Sequence, residues 1–137
     1  MKFFFDANLS VYLAHAIGIL CKAERGEILV EHIFDRFRPN TQDIEWIDTL
    51  GDEGGWTIIS QDRFARNDFE KEALRKHGFT VFILKRAWAD QPGWEKSARL
   101  IRWWPRIMEQ TGLVTGGAVF GVPFHFSGKG KFETVKL

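Results

Sequence analysis

Apolar and polar positions change period several times along this chain, and each change marks an element. Phe3 to Phe5 form an unbroken apolar run ending at Asp6, and from Leu9 the positions Leu13, Ala16, Ile17 and Leu20 recur at helical spacing. Strand, turn and helix are predicted in that order. ILVEHIF at 28–34 predicts a second strand at about 29–34, followed by a polar loop that holds Pro39. Ile44, Ile47 and Leu50 predict a short helix from Asp43, which the glycines of GDEGG end. WTIIS at 56–60 is the third strand. The segment after Asp62, with Phe64, Phe69, Ala73 and Leu74, predicts a helix stopping at His77-Gly78, and FTVFIL at 79–84 the fourth strand.

Strands that alternate with helices across short loops predict an α/β layer fold, its sheet mainly parallel and its crossovers right-handed. GWEKSARLIRWWPRIMEQTG follows as an amphipathic helix, with Leu100, Trp103, Trp104 and Ile107 on one face and Arg99, Arg102 and Arg106 away from it. Pro105 is expected to kink or interrupt it. Beyond Gly116 the period becomes two, aligning Phe120, Val122, Phe124 and Phe126 on one face; SGKG then makes a turn and KFETVKL a return strand. Residues 1–112 are thus read as one domain and 113–137 as its C-terminal β-hairpin extension.

Composition narrows the class. The chain has 137 residues, 45% apolar and 27% charged, enough to bury a core without staples. Cys21 is the single cysteine, so no intrachain disulfide forms and a reducing, cytoplasmic setting is expected. The first twenty residues superficially resemble a signal peptide, but Asp6 and Asn8 interrupt the apolar region such a signal needs. No later stretch reaches the ~18 apolar residues of a membrane span. Residues 1–62 carry 5 Lys/Arg against 11 Asp/Glu, while residues 63–137 carry 14 against 7. That asymmetry is consistent with an acidic pocket beside a basic surface.

Candidate chemistry follows from where the acids fall. Ligands of an open parallel sheet gather outside the carboxyl ends of its strands. Asp6 follows the first strand and Asp62 the third, while Asp43 and Glu45 open the helix between them. Clustered carboxylates repel, and holding them ionised together calls for a cation. Oxygen donors favour Mg²⁺ or Mn²⁺, ions that activate water and stabilise the leaving oxygen in phosphodiester hydrolysis. Each acid also has a structural reading: Asp43 and Asp62 as helix caps, Asp6 as the acceptor of an Asx turn with Asn8 or as a cap for the first helix.

FFFDANLS, DIEWIDTL and TIISQDRFA, taken in order, resemble the PIN-like domains, including the VapC-type toxins of bacterial toxin–antitoxin pairs. The resemblance covers about residues 2–86 and implies a three-layer α/β fold with an acidic metal site, in many members a Mg²⁺- or Mn²⁺-dependent ribonuclease. It places Asp6 and Asp62 in that site, with Asp43 or Glu45 from the intervening helix. A fourth acid common in the family has no evident counterpart; Arg63 and Phe64 follow Asp62, and Asp68 is the candidate.

Asn8 and Ser60 beside the two aspartates, Arg63 and Arg66 near the same rim, and Lys85 and Arg86 after the fourth strand are the candidate substrate contacts. Arg99, Arg102 and Arg106 either extend that basic track or form a solvated helix face. The tryptophans are candidates for base stacking, with packing or a dimer contact the simpler role for Trp103 and Trp104. The expected partners are RNA, an antitoxin and a second copy of the chain, the homodimer suiting the aromatic helix and terminal hairpin. An inactive PIN-like module that binds RNA or protein is the alternative. A response-regulator-like phosphoacceptor role for Asp62 lacks the second acid beside Asp6, where Ala7 stands.

Overall fold

Side chains alternate across a strand, so Phe3, Phe4 and Phe5 are buried together only where a sheet is covered on both faces. The computed structural model, which describes residues 1–61 and 68–136, has that construction. Its elements are β1 (Lys2–Phe5), α1 (Val11–Leu20), β2 (Leu29–His32), α2 (Asp43–Glu53), β3 (Trp56–Ser60), α3 (Asp68–His77), β4 (Thr80–Leu84), α4 (Gly93–Leu113), β5 (Val119–Val122) and β6 (Glu133–Thr134). The strands lie in the order β2-β1-β3-β4-β5-β6, the first five parallel and β6 antiparallel at the edge. This is the predicted α/β sheet.

On one face Phe3 and Phe5 pack with Leu13 and Ile17 of α1 and with Trp103, Trp104 and Ile107 of α4. On the other, Phe4 packs with Trp46, Ile47 and Leu50 of α2, and Leu74 of α3 closes the same layer. Trp46 stacks on Phe4 at 5.3 Å between ring centres. Among the described residues, no helix is long and apolar enough to cross a membrane.

Several expectations change. Helix α1 starts at Val11 because Ser10 caps it, its hydroxyl accepting from the amides of Tyr12 (3.1 Å) and Leu13 (3.3 Å). Only Leu13 and Ile17 of the predicted apolar stripe point inward; Ala16 and Leu20 are exposed. Helix α4 runs unbroken through Pro105. The C-terminal hairpin pairs β5 with β6 and the SGKG turn forms, the Gly130 amide donating to the Ser127 carbonyl at 3.0 Å, but β5 stops at Val122, before Pro123, so the connection around that turn is wide. Phe124 and Phe126 therefore leave the strand and lie along α4, against Trp88 (5.0 Å) and Trp103 (4.6 Å). Phe132 joins them between Phe82 and Trp103, 5.2 Å from each. The three arginines of α4 cover these rings: Arg99 over Phe124 at 4.5 Å, Arg102 over Phe126 at 4.0 Å and Arg106 over Phe132 at 4.7 Å. Arg99 also donates to the Phe124 carbonyl and Arg106 to that of Gly130. They clasp the C-terminal segment, Arg102 remaining exposed while Arg99 and Arg106 are half-buried.

Two local features yield predictions. Gly51 of α2 faces His77 at the end of α3, and a Cβ at residue 51 would stand 2.2 Å from the imidazole Cγ. The same ring bonds Asp48 at 2.9 Å, tying α2 to α3. Alanine has the better helix propensity by about 1 kcal/mol, yet overpacking typically costs ~1–3 kcal/mol. Gly51→Ala is accordingly expected to lower the urea midpoint; a raised midpoint would show that His77 turns aside without penalty.

Arg36 donates to both oxygens of Glu53 and lies 3.5 Å from Glu31 of β2, fastening the chain after β2 to the end of α2. The Arg36 guanidinium, with help from the Trp56 indole N–H, holds the Glu53 carboxyl at about 2 instead of 4.5. A depressed folded-state pKa stabilises above the unfolded value, so this contribution is full above pH 4.5 and is lost as pH falls toward 2. Solvent screens the pair, since 36% of the Glu53 side chain is exposed. Glu53→Gln is expected to reduce stability at pH 7 and to flatten its decline between pH 5 and pH 2, read by thermal melts across that interval.

Candidate active site

The chain leaves β1 for β2 on one side and returns across it to β3 on the other, so the strand order reverses between β1 and β3. The carboxyl ends of these two strands are where this class of sheet opens a crevice. Asp6 stands there. It continues β1, its amide donating to the Ile59 carbonyl at 3.2 Å, and it is only 5% exposed. Its Oδ1 accepts the Asn8 amide at 3.0 Å, the expected Asx turn, and its Oδ2 accepts the Ser60 hydroxyl. Two strands thus fix one carboxylate.

Ser60 is fully buried, so its hydroxyl holds Asp6 and does not reach outward to a substrate. Asn8 is exposed on the turn that Asp6 organises. The turn has a second anchor in His32, at the end of β2 and fully buried. His32 Nδ1 accepts the Phe34 amide at 3.1 Å, which leaves the proton on Nε2 to donate to the Leu9 carbonyl at 2.7 Å. Nothing in the local sequence marks His32 for this role, because its partner is 23 residues away.

Side-chain alternation turns Asp6 to the same sheet face as Phe4, the face that α2 covers. Trp46 stacks on Phe4 and donates its indole N–H to Asp43 at 2.9 Å. Asp43 therefore lies at the strand-end side of α2, on the face toward which Asp6 points. It is the first residue of that helix and not its cap; Gln42 is the cap residue, without a side-chain bond. Glu45, in the same first turn, is exposed.

Asp62, Arg63 and Arg66 lie outside the described residues, as does Phe64. Asp68 is the first residue of α3. Among the described residues no group of three acidic, histidine or cysteine side chains is gathered to hold a metal. Asp6 and Asp43 supply carboxylate oxygens, donors that suit a hard divalent ion, and a three-acid set requires Asp62 with them.

The basic side of the rim lies across β4 and α4. Lys85 pairs with Glu133 of β6, and Arg86 is exposed just beyond. Lys96, unrecognised in the sequence, reaches from the first turns of α4 to Gln61 Oε1 at 3.2 Å, Gln61 being the residue that precedes Asp62 in the sequence. Trp94 precedes it and is 90% exposed, whereas the other five tryptophans are buried.

A family model described as a PIN-like domain matches residues 1–86, the span from β1 through the turn after β4. No curated protein and no solved structure matches the chain.

Proposed function

The chain belongs to the PIN-like domain family, and from that premise we propose that it is a metal-dependent ribonuclease hydrolysing RNA phosphodiester bonds. The observation that carries this reading is Asp6: a buried carboxylate at the sheet's reversal point, held by a hydrogen bond to each oxygen. Asp43 and Asp62 would complete the site with it, Glu45 being the alternative from α2. Mg²⁺ or Mn²⁺ held by these acids would supply water activation and charge stabilisation at the leaving oxygen. The chain's own residues orient and bind. Ser60 and the Asn8 amide fix the direction of the Asp6 lone pairs, and His32 keeps the turn beside them in place. Lys96 and Arg86, with Arg63 and Arg66, offer cations to the phosphodiester backbone, and Trp94 an open indole face for an unpaired base.

The test is incubation of a mixed single-stranded RNA pool with the protein in Mg²⁺ or Mn²⁺, beside an EDTA control. Cleavage that requires the ion supports the reading; intact RNA together with no metal binding by calorimetry would sink it. The narrower role, toxin of a toxin–antitoxin pair, requires growth arrest when the chain is expressed alone. An inactive RNA- or protein-binding module is the second reading, favoured by the want of an evident counterpart in the sequence to the family's fourth acid. It predicts RNA binding that EDTA leaves unchanged.

A further inference from the structure

Helices α1 and α4 both start at the carboxyl rim of the sheet, since each follows the end of a parallel strand. Helical side chains lean toward the N-terminal end of their helix, so the first turns of α4 project over that rim. Two residues there, Trp94 and Lys96, lie beyond the span shared with the PIN-like family, residues 1–86.

Lys96 points toward the sheet. It falls four residues before Leu100, on the face that Leu100, Trp103 and Ile107 bury, and its ammonium meets the side chain of Gln61. The preceding residue, Ser60, turns its hydroxyl to Asp6 on the α2 side of the sheet, while α4 brings Lys96 to the rim from the other side. Among the described residues the Lys96 ammonium bonds only the neutral amide of Gln61, so its charge has no carboxylate partner. Lys85, by contrast, is paired with Glu133, and Arg99 and Arg106 are engaged by the C-terminal segment. Two residues advance a helix by about 200°, so Trp94 points away from the sheet where Lys96 points toward it. Trp94 shares a stripe with Ile101, Pro105 and Met108, which line the groove on the side toward α1. Its indole is exposed while those of the other five tryptophans are buried, so a flat apolar face stands open above the rim.

From the α2 side outward the rim therefore offers a carboxylate, a cation and an aromatic face. An RNA strand carries the complement of the last two, a phosphate and then a base. Within a duplex the faces of a base are hidden in the stack, whereas an unpaired base presents one to an aromatic side chain. Resting on the ribonuclease reading, we propose that Lys96 and Trp94 form a subsite for single-stranded RNA next to the cut. Lys96 pairs with a phosphate beside the scissile one at Asp6, and Trp94 stacks the unpaired base of a nucleotide further out. The substrate class is thus RNA that is unpaired on at least one side of the cleaved bond.

The test is fluorescence anisotropy of an end-labelled 12-nucleotide RNA, single-stranded and as a duplex with its complement, in EDTA so that binding is read without cleavage. The parent is expected to bind the single strand more tightly than the duplex. Trp94→Ala, at an exposed position, should keep the parental melting temperature and weaken single-strand binding by about 5–150-fold, the loss of one base stack, with duplex binding unchanged. Lys96→Gln keeps a donor for Gln61 and should lower the slope of log affinity against log salt by about 0.7, the share of one phosphate contact on a single strand. Trp94→Ala should leave that slope unchanged. Tryptophan emission should be quenched by the single strand in the parent and not in Trp94→Phe. Parental affinity in Trp94→Ala, or a parental salt slope in Lys96→Gln, overturns the proposal. RNA bound through both residues yet intact in Mg²⁺ or Mn²⁺ supports the subsite and sinks the ribonuclease reading alone; RNA cleaved by both variants at the parental kcat/KM sinks the subsite alone.

Discussion

Asp6→Asn is expected to abolish metal-dependent RNA cleavage while the protein stays folded. Asparagine retains one oxygen for the Asn8 amide, and its amino group donates to Ser60, whose hydroxyl accepts as readily as it donates. These two hydrogen bonds thus have a successor, and the negative charge is lost. The activity should fall by more than the ~10–100-fold that follows loss of a partner one bond removed from a metal. Ser60→Ala, which leaves the carboxylate in place and removes one of the groups that aims it, should fall within that ~10–100-fold interval. Asp6→Ala serves as the contrast, since it deletes both hydrogen bonds beneath a buried rim and should cost roughly 2–3 kcal/mol of stability besides activity. Single-turnover cleavage rates, read beside urea midpoints, separate the three. A folded Asp6→Asn protein that cleaves at the parental rate would move the chemistry away from β1.

Trp103→Ala should produce the largest loss of stability. Trp103 is fully buried and joins three parts of the molecule: the sheet face formed with Phe82, helix α4 itself, and the C-terminal segment through Phe126 and Phe132. Truncating a buried tryptophan costs about 3–5 kcal/mol, a substantial part of the ~5–15 kcal/mol that holds a domain together. A fall in melting temperature of roughly 10 °C or more is expected. Cleavage of residues 123–136 by a protease at concentrations that leave the parent intact should accompany it, because the arginine clasp alone contributes only about 0.5–1 kcal/mol per exposed cation–π pair. A drop of only a degree or two would mean that the C-terminal segment is held from elsewhere.

What the sequence makes legible is what depends on near neighbours. The apolar runs before Asp6 and after Gly55 are short and bounded by turn residues and read as strands, and Asp6 owes its candidacy to its place at the end of one. The helices of α2 and α4 follow from spacings of three and four. Contacts between distant residues are hidden for the same reason. Ser60 looks like a substrate contact until β3 pairs with β1 and turns its hydroxyl to Asp6. Lys85 looks free until Glu133, 48 residues later, arrives on β6. Arg99, Arg102 and Arg106 read as a polar helix face because periodicity sees one helix, and the rings beneath them come 24 to 26 residues further on. In α1 the pattern alone cannot choose a side, because almost every position is apolar. The choice is made by β2, whose Val30 lies against Gly18.

The hydrogen bond from Ser60 to Asp6 spans 54 residues, and the loop it closes contains all of β2 and α2. A growing chain therefore makes the first acid of the proposed site long before that acid has an address. Loop closure spends chain entropy before any contact repays it, and parallel pairing across such a distance is intrinsically slow. The carboxylate acquires its direction only when β3 has docked beside β1, an event that also seals the core on both faces. Assembly of the sheet and arming of the proposed site are thus a single step, and a partly made or partly folded chain carries the acids without that site.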